Sequence, residues 1–339
     1  MSDIILSIVI PSYNEKDYIG KCLQSFYDQS LDRDLFEVLV CDGLSNDGTI
    51  EIIHQYEKKE GFNCNLIENQ KRKTPYALNL GLKAAKGKYK AIFGAHATAD
   101  TDFCKNSIEF LDNNKNIACV GGVLENIFEN EASKTIGLAM SSPFGVGNAH
   151  FRTGEFEGEV DTVAFGVYRA EVFEDIGYFD EELTRNQDDE LNFRITKSGR
   201  KIFLSKRIKA KYFVRSSFPK LRRQYFQYGY WKVFVNKKHQ TITTVRQLIP
   251  AFFVAYLLGV LPIVLFIPFG EIYLSGLLLY LMAAIYFSGK LSKKLNEQFS
   301  IIKVFWILHY NYGLGYLKGI LDFYLLNKNP GIKSEEISR

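Results

Sequence analysis

The residues with the most concentrated chemistry are three consecutive acids, Asp188, Asp189 and Glu190, which come just before an apolar stretch. Neighbouring carboxylates cannot all be buried and ionised without counter-charge, so such a run binds a cation or a proton, or lies open to water. If the segment is helical, Glu190 and Arg194 stand at i, i+4 and can form an ion pair. Asp188 then lies in the first turn, where exposed backbone N–H groups favour its anionic form. The alternative is a solvated acidic helix start without further function.

The elements that must position this run are strands alternating with helices. Runs of apolar and β-branched residues predict strands at residues 4–10, 36–41, 65–68, 89–93, 160–169 and 201–204. Apolar residues at helical spacing predict helices at residues 16–29, 50–56 and 75–85. This alternation predicts an α/β fold with a parallel, doubly wound sheet.

Three polar loops follow strands of the predicted sheet, at residues 11–15, 42–49 and 94–100. Ligands bind such sheets beyond the carboxyl ends of the strands, so we expect these loops to meet at one edge. The loop at 42–49 is rich in acids and small residues, which suits it to accept hydrogen bonds from a base or a ribose. A plain surface turn is the alternative for this loop.

Several classes of protein are disfavoured. No GxGxxG follows the first predicted strand and no GxxxxGK[ST] occurs, which argues against a dinucleotide dehydrogenase and a P-loop nucleotidase. The formal net charge of +4 argues against nucleic acid as the main partner. The cysteines number five and are scattered without metal-ligand spacing, which indicates reduced thiols in a cytosolic compartment rather than disulfides.

The last third of the chain contains two long uncharged runs. Residues 249–269 are long enough to cross a bilayer as a helix, and residues 272–289 are at the short end of that range. Lysine and arginine flank the pair but are absent from its short connection, so the positive-inside rule predicts a multi-pass membrane protein whose preceding domain is cytoplasmic. A third segment, residues 301–326, is aromatic and amphipathic, and we expect it to be interfacial or re-entrant. The alternative is a buried helical hairpin of a soluble protein.

The predicted division is a first domain over residues 1–235 and a membrane region over residues 236–330. Two basic segments lie in the first domain. The run at residues 71–73 either contacts phosphates or is a solvated loop. Basic and aromatic residues interleave around residues 209–232, where an interfacial helix is one interpretation.

Together these motifs resemble the glycosyltransferases of family 2. The resemblance covers roughly residues 4–235 and rests on residues 9–15, on Asp42-Gly43 with the residues up to Thr49, and on Asp188. A closer likeness to the membrane-bound, succinoglycan-type members lies at residues 95–97, 161–166, 185–192, 223–226 and 311–319. The resemblance implies a GT-A fold with a mostly parallel sheet, a nucleotide-diphosphate sugar donor, and inversion at the anomeric carbon.

The resemblance also implies roles for individual residues. On the donor side, the expected nucleotide-binding residues are Pro11, Tyr13, Glu15, Asp42, Lys73 and Ala95. The family's general base lies in a Glu-Asp pair that reads Gln187-Asp188 here, so Asp188 is the expected base and Asp189 the neighbour that raises its pKa. On the acceptor side, the expected residues are Gln187, Arg223, Gln224 and Trp231.

The expected metal site departs from the family. Family members usually have Asp-X-Asp after the fourth strand, where it holds Mg²⁺ or Mn²⁺ against the diphosphate. This chain has Gly94-Ala95-His96, so the first carboxylate is absent and an imidazole replaces the second. His96 is the expected ligand, and imidazole suits Mn²⁺ better than Mg²⁺. Asp100 can supply the missing oxygen if the loop folds back; a purely structural histidine and loss of metal dependence are the alternatives.

The sequence therefore predicts a membrane-anchored, cytoplasm-facing inverting glycosyltransferase with Asp188 as base. Its expected partners are a nucleotide-diphosphate sugar, with UDP first, a lipid-linked or polysaccharide acceptor, and membrane lipids, but no nucleic acid. One alternative is a polyprenyl-phosphate glycosyltransferase, whose phosphate acceptor needs no general base. Another is a catalytically inactive homologue that binds nucleotide-sugars in a polysaccharide assembly complex, an interpretation supported by Gly94.

Overall fold

The structure is a computed structural model that describes residues 3–214, 217–268 and 270–330. The predicted end of the first membrane helix, Phe269, lies outside the described residues. The strands are β1 (Leu6–Ser12), β2 (Phe36–Asp42), β3 (Cys64–Glu68), β4 (Tyr89–Ile92), β5 (Ala97–Ala99), β6 (Ile117–Ile127), β7 (Gly158–Val160), β8 (Ala164–Arg169) and β9 (Lys201–Phe213). The helices are α1 (Lys16–Tyr27), α2 (Thr49–Glu57), α3 (Thr74–Ala84), α4 (Phe103–Asn113), α5 (Glu131–Met140), α6 (Pro143–Val146), α7 (His150–Thr153), α8 (Ala170–Ile176), α9 (Gln187–Lys197), α10 (Phe218–His239), α11 (Ile249–Phe266), α12 (Ser275–Leu291) and α13 (Leu295–Ile320).

Two compact units make up the described chain. The first contains the residues up to Ile127, together with Ala149–Leu183 and Gln187–Phe213. The second contains Phe128–Asn148, Thr184–Asn186 and the residues from Val214 onward. This division differs from the boundary predicted at residue 235, because α10 packs along α13 in the second unit.

The first unit is built on one mixed sheet, with strand order β3-β2-β1-β4-β8-β6-β9-β5 and β7 paired to β9. Parallel pairing joins β1 to β2 and β4, β2 to β3, and β6 to β9. The pairs β4–β8, β6–β8, β5–β9 and β7–β9 are antiparallel. The predicted α/β class is confirmed, and the sheet is mixed: β3, β2, β1 and β4 are parallel neighbours, β8 lies antiparallel between β4 and β6, and β6 and β9 are again parallel.

Helices cover both faces of the parallel half of the sheet, and this explains why its strands are continuous apolar runs. All seven residues of β2 are buried, as are six of the seven in β1. Successive residues of β1 point to opposite faces, so Ile8 and Ile10 pack with Phe26 of α1 while Val9 packs with Leu78 and Leu82 of α3. The two apolar layers fix the carboxyl edge of the sheet, where the polar loops begin.

Strands β6 and β9 are longer than the rest of the sheet. Their register passes from Gly122 opposite Ser205 to Val123 opposite Lys209, so residues 206–208 are extra in β9. Beyond this offset, residues 123–127 pair with 209–213, and β5 pairs on the other side of β9. Strand β5 begins at Ala97, the residue after His96. The segment that contains His96 therefore leads directly into this second part of the ladder.

The second unit is helical, and its centre is the crossing of α10 and α13. A Cβ atom on Gly229 would lie 1.9 Å from the backbone oxygen of Tyr312, and one on Gly315 would lie 2.0 Å from that of Phe226. Glycine at both positions therefore allows the two backbones to touch. One side of α13, which contains most of the segment predicted to be interfacial or re-entrant, is buried against helices of its own unit.

Helices α11 and α12 differ from the rest of the second unit because their apolar side chains are largely exposed. The segments Val245–Phe266 and Gly270–Leu291 are long and apolar enough to cross a membrane, and only 12% and 11% of their apolar windows are buried. A buried hairpin in the core of a soluble protein would have most of these residues covered. This exposure supports a possible membrane association of the second unit.

Candidate active site

The end of β2 carries a buried carboxylate. Asp42 is 1% exposed and stands opposite Ser12, the last residue of β1, in the parallel register. Its Oδ1 accepts a hydrogen bond from the backbone N–H of Ser45 at 2.7 Å, and its Oδ2 accepts one from the Ser45 hydroxyl at 2.7 Å. The Asp42 carboxylate is therefore fixed by the loop that follows it.

Side chains from this loop cap the start of α1. The backbone N–H of Asn14 donates to Ser45 Oγ at 2.7 Å, and that of Glu15 donates to Thr49 Oγ1 at 2.8 Å. Asp47 accepts from the N–H groups of Lys16 and Thr49 and from the Thr49 hydroxyl. Burial opposes ionisation of Asp47, but these hydrogen bonds outweigh it and lower the pKa of its carboxyl. The loops after β1 and β2 thus form one interlocked structure, as their predicted meeting at one edge required.

The ring of Tyr13 lies against the same loop. A Cβ atom on Gly43 would be 3.2 Å from Tyr13 Cδ2 and 3.5 Å from the Cα of Arg72, so Gly43 leaves space for both neighbours. The loop before α3 is attached by Asn69, whose N–H donates to the Asp42 carbonyl at 2.7 Å and whose Nδ2 donates to the Lys73 carbonyl at 3.0 Å. The predicted donor-side residues of the first three loops are therefore neighbours.

The segment after β4 brings an imidazole to the start of α1. His96 Nδ1 lies 2.5 Å from Glu15 Oε2, and the imidazole stacks on Tyr18 with ring centroids 4.0 Å apart. The His96 side chain is 37% exposed and that of Glu15 is 11% exposed, so the pair can be reached from solvent through the imidazole. Ala95 is buried and packs in the core, which leaves only its backbone for any contact with a donor.

Asp100 is not brought to His96, contrary to the folded-back loop on which its predicted metal role depended. Residues Ala97–Ala99 form β5, which pairs with β9 and is extended. At about 3.3 Å per residue, the four steps from His96 carry Asp100 roughly 13 Å away from the histidine. Among the described residues, no group of three or more His, Cys, Asp or Glu side chains is arranged to hold a metal ion.

Phe165 occupies the space beside Gly94. A Cβ atom on Gly94 would lie 3.1 Å from Phe165 Cε1, and the Phe165 ring packs on Phe93 at 4.3 Å. Phe165 has a backbone φ of 49°, which is rare for a bulky residue. This contact was missed: residues 161–166 carry part of the family likeness, but nothing in them indicates that the Phe165 ring lies beside Gly94. An aspartate at position 94 would have to displace the ring.

The acidic run begins α9. Asp188 is exposed, and its Oδ1 accepts a hydrogen bond from the backbone N–H of Asp189 at 2.9 Å. Asp189 is half-buried, rather than buried as its proposed effect on the pKa of Asp188 required. The carboxylate of Asp188 is thus presented to solvent in the first turn of the helix, where the exposed N–H groups stabilise its charge.

An ion pair anchors α9, and it is the one predicted from the i, i+4 spacing. Arg194 donates to both carboxylate oxygens of Glu190, at 2.8 and 2.9 Å. The same guanidinium donates to the carbonyls of Ile176 at 2.5 Å and Tyr178 at 2.7 Å. Glu190 is 3% exposed, so this contact both neutralises a buried acid and fixes the helix to the end of α8.

Polar side chains of β8 and of the residues just before it form hydrogen bonds to α9. Asn192 is 1% exposed and donates to Thr162 Oγ1 at 3.0 Å, while the Tyr168 hydroxyl donates to Asn192 Oδ1 at 3.4 Å. Burial first, and then the charges of Cys119 and Asp188, raise the pKa of Tyr168. Asp188 is therefore close enough to this cluster for its charge to affect the ionisation of Tyr168. Gln187 has its Oε1 buried without a hydrogen-bond partner among the described residues.

Three of the four predicted acceptor-side residues, Arg223, Gln224 and Trp231, lie on α10 in the second unit, whereas Gln187 begins α9 in the first. Arg223 is exposed, and Gln224 Nε2 donates to the Tyr228 hydroxyl at 2.6 Å. Trp231 is fully buried and packs edge-on against Phe234, so its position favours packing over the predicted contact with an acceptor. The stretch before the acidic helix is attached to α10, because Asn186 Nδ2 donates to the Tyr228 carbonyl at 2.9 Å.

A mixed α/β sheet with interlocked polar loops at its carboxyl edge, and an acidic helix in the same unit, is the architecture of a GT-A glycosyltransferase. Residues 7–177 match glycosyl transferase family 2. The chain belongs to this family, and it is a glycosyltransferase that uses a nucleotide sugar.

Named relatives extend the match over nearly the whole chain. It is 31% identical, over 328 residues, to the dolichyl N-acetyl-alpha-D-glucosaminyl phosphate 3-beta-D-2,3-diacetamido-2,3-dideoxy-beta-D-glucuronosyltransferase of Methanococcus voltae, covering 93% of this chain and 97% of that one. It is 28% identical, over 246 residues, to the succinoglycan biosynthesis protein ExoA of Rhizobium meliloti, covering 72% of this chain and 73% of that one.

Solved structures agree in fold. A mannosyltransferase of Pyrobaculum calidifontis, in complex with GDP-Man and Mn²⁺, superposes with a TM-score of 0.60 at 16% identity and covers 93% of this chain and 86% of that one. TarS of S. aureus (residues 1–349), in complex with UDP-GlcNAc, superposes with a TM-score of 0.52 at 16% identity and covers 93% and 92% of the two chains. At this level of identity the likeness concerns the fold.

Proposed function

We propose that this protein is a membrane-associated inverting glycosyltransferase that moves a sugar from a UDP-type donor to a hydroxyl of a lipid-linked sugar at the cytoplasmic face. The observation that carries the proposal is the interlocking of the loops after β1, β2 and β4, in which Glu15 contacts both Thr49 and His96. Both named relatives support it: one has a dolichyl phosphate-linked sugar in its name, and the other is a polysaccharide biosynthesis protein.

On this proposal the donor lies across the carboxyl ends of β1, β2 and β4. The carboxylate of Asp42 accepts hydrogen bonds from the nucleoside, since Ser45 occupies only part of its lone-pair capacity. Pro11 and Tyr13 line the nucleotide, and the backbone of Ala95 borders it. Lys73 provides positive charge for the diphosphate.

Asp188 acts as the general base. The acceptor oxygen forms a bond to the anomeric carbon from the face opposite the diphosphate, the bond from that carbon to the diphosphate oxygen breaks, and the hydroxyl proton goes to the Asp188 carboxylate. An exposed carboxylate in the first turn of α9 suits this role. Asp189 holds the turn beside it through its N–H donated to Asp188, and Gln187 of the same turn contacts the acceptor.

The residues around His96 fit a Mn²⁺ ion that arrives with the donor. Imidazole is a ligand type of Mn²⁺, and the contact of His96 Nδ1 with Glu15 Oε2 at 2.5 Å would orient the ring so that Nε2 could hold the ion. Since the described residues offer no larger cluster, most ligands would come from the diphosphate and water. When bound, the ion neutralises the charge that develops on the leaving diphosphate.

The membrane role belongs to α11 and α12, whose exposed apolar side chains would be covered by lipid. On this proposal they cross the bilayer as a hairpin, with Lys237 and Lys290 on the cytoplasmic side. A lipid-linked acceptor would then diffuse in the same membrane.

A donor screen in nanodiscs tests the proposal. UDP-, GDP- and dTDP-sugars are supplied with polyprenyl-phosphate-linked N-acetylglucosamine, with and without Mn²⁺, and both released nucleotide and lengthened lipid are measured. The expected result is Mn²⁺-stimulated transfer from a UDP-sugar. If no nucleotide is released from any donor, even with a membrane lipid extract as acceptor, the proposed transferase activity is contradicted.

The Asp188→Asn variant tests the base. Without a carboxylate to take the hydroxyl proton, turnover should fall by about 10² to 10⁴ while UDP affinity is kept. The matched control is Asp175→Asn, which removes an exposed carboxylate paired with Arg200 and should change turnover less than about twofold. Transfer by Asp188→Asn at the wild-type rate would show that the acceptor needs no base, as a phosphate acceptor would not.

A further inference from the structure

A pocket with three cations lies on the first unit, outside the residues assigned above. We call it the basic pocket and define it by Asp100, Glu125, Arg152, Thr153, Lys209 and Lys211, which line it together with Val123 and Ala210. Its floor is the part of the β6–β9 ladder beyond the register offset, where Val123 stands opposite Lys209 and Glu125 opposite Lys211. Residues paired in this way project to the same face, so both lysines flank one depression.

Arg152 is the least satisfied of the three cations. Its Nη1 is buried and has no hydrogen-bond partner among the described residues. The guanidinium lies over the rings of Phe151 and Tyr212, at 5.3 and 5.8 Å from their centroids, and these contacts fix its direction. A buried N–H group without an acceptor costs about 1–3 kcal/mol, and an anion in the pocket would remove that cost.

The two lysines are also not neutralised. Elsewhere on β9, Lys201 pairs with Glu159 at 2.5 Å and Arg207 with Glu109 at 3.4 Å. Within the part of the chain that the structure describes, no ion pair involves Lys209 or Lys211. The cations of the basic pocket outnumber its two acids, so the pocket attracts an anion.

The basic pocket is close to the proposed donor site. The backbone N–H of Phe213 donates to the His96 carbonyl at 3.0 Å, and Thr98 stands opposite Lys211 in the β5–β9 pairing. Thr98 lies two residue steps after His96 along the extended chain, which corresponds to roughly 7 Å. A ligand in the pocket would therefore lie about one sugar residue away from the donor diphosphate.

We propose that the basic pocket binds the sugar phosphate part of the acceptor, an inference that rests on the proposed function. The cations Arg152, Lys209 and Lys211 take the phosphate, because a guanidinium with a free N–H and two ammonium groups match its charge. The carboxylates of Asp100 and Glu125 and the hydroxyl of Thr153 accept hydrogen bonds from sugar hydroxyls. The mixture of both charges in one pocket fits such a ligand better than it fits a bare diphosphate.

Calorimetric titration with N-acetylglucosamine 1-phosphate tests the inference on the full-length protein. Wild-type protein saturated with UDP should bind this probe, and neutral N-acetylglucosamine should bind about tenfold or more weakly. Arg152→Gln and Lys211→Gln should each weaken probe binding by about tenfold, the loss expected for one charge-assisted hydrogen bond. The matched control is Lys115→Gln, which removes an exposed lysine just before the opposite end of β6 and should leave probe affinity within about twofold.

Enzyme kinetics distinguish the two possible sources of the bound phosphate, which are the acceptor and the nucleotide-sugar donor. If the pocket holds the acceptor, the variants should raise the KM for the lipid-linked acceptor about tenfold and leave the affinity for UDP unchanged. Lys211 is exposed, so its variant remains informative if Arg152→Gln is unstable.

Three results would overturn the inference: no probe binding by wild-type protein, binding by both variants with the wild-type affinity, or displacement of the probe by UDP, which would assign the phosphate to the donor. Probe binding that is lost in the variants, in a protein that transfers to no acceptor, would support the pocket and refute the proposed function.

Discussion

At the scale of single residues, the site is defined by what lies around position 94. Glu15 and His96 come from the ends of different strands and meet at 2.5 Å, whereas Gly94 contributes no side chain. Phe165 fills the neighbouring space, with its Cε1 3.1 Å from where a Cβ on Gly94 would be. The Phe165 ring therefore lies where a side chain at position 94 would begin. We expect the effects of substitutions at positions 94 and 165 to be coupled.

Gly94→Asp tests this coupling. Alone, the substitution should lower stability by about 1–3 kcal/mol, because a new side chain presses on a packed ring. Combined with Phe165→Leu, which frees part of the space, it should recover most of that loss and raise the affinity for Mn²⁺. Thermal melting and Mn²⁺ titration of the single and double variants check the prediction. Additive losses of stability would show that the two positions are independent.

At the scale of elements, contacts in the middle of α9 anchor the helix, while its first turn is exposed to solvent. Arg194 ties Glu190 to the carbonyls after α8, and Asn192 ties the next turn to Thr162. Asp188 needs no packing of its own, since the helix it begins is anchored four and six residues later. The position of the proposed base thus depends on contacts that a substrate never touches.

Arg194→Ala should lower the free energy of unfolding by about 3 kcal/mol, because it leaves the buried Glu190 without its counter-charge. Arg200→Ala removes a guanidinium whose carboxylate partner, Asp175, is 51% exposed, and should cost less than about 1 kcal/mol. Thermal or denaturant unfolding of both variants measures the difference. Similar losses for the two would mean that the Glu190–Arg194 contact contributes no more than a surface ion pair.

Much of this arrangement could be predicted, and the exceptions have physical causes. The first four strands and the Glu190–Arg194 pair follow from local periodicity. Strand β6 was missed because Gly121 and Gly122 interrupt its apolar pattern where a β-carbon would clash with Val163 and Ile208. The length of β9 was missed because its second half alternates lysines with apolar residues. The Glu15–His96 and Gly94–Phe165 contacts depend on strand order, which local patterns do not encode.

At the scale of the whole molecule, the two units are interleaved along the chain. The second unit takes α5 and α6 from the middle of the sequence and joins them to helices near its end: Lys134 Nζ lies 2.9 Å from Glu297 Oε1, and His309 Nε2 lies 2.8 Å from the Phe144 carbonyl. No single cut in the sequence therefore separates these two compact units, whereas the predicted domain boundary is a single position, residue 235.

A variant ending at Phe213 should aggregate, because residues 128–148 would lose the helices that bury Ile136, Ala139 and Met140. A second variant, also ending at Phe213 but with residues 128–148 replaced by a Gly/Ser linker, should stay soluble. Size-exclusion chromatography distinguishes the two. A monodisperse first variant would show that α5 needs no partner from the rest of its unit.

The interleaving also means that helices which pack together are synthesised at different times. Helix α5 ends at Met140 and α13 begins at Leu295, so about 155 residues are translated between them, which takes a ribosome roughly 8–30 s. During that interval the apolar side of α5 has left the exit tunnel and its partner has not been made. The nascent chain is therefore expected to need a chaperone or the membrane surface during this period, before any sugar has been transferred.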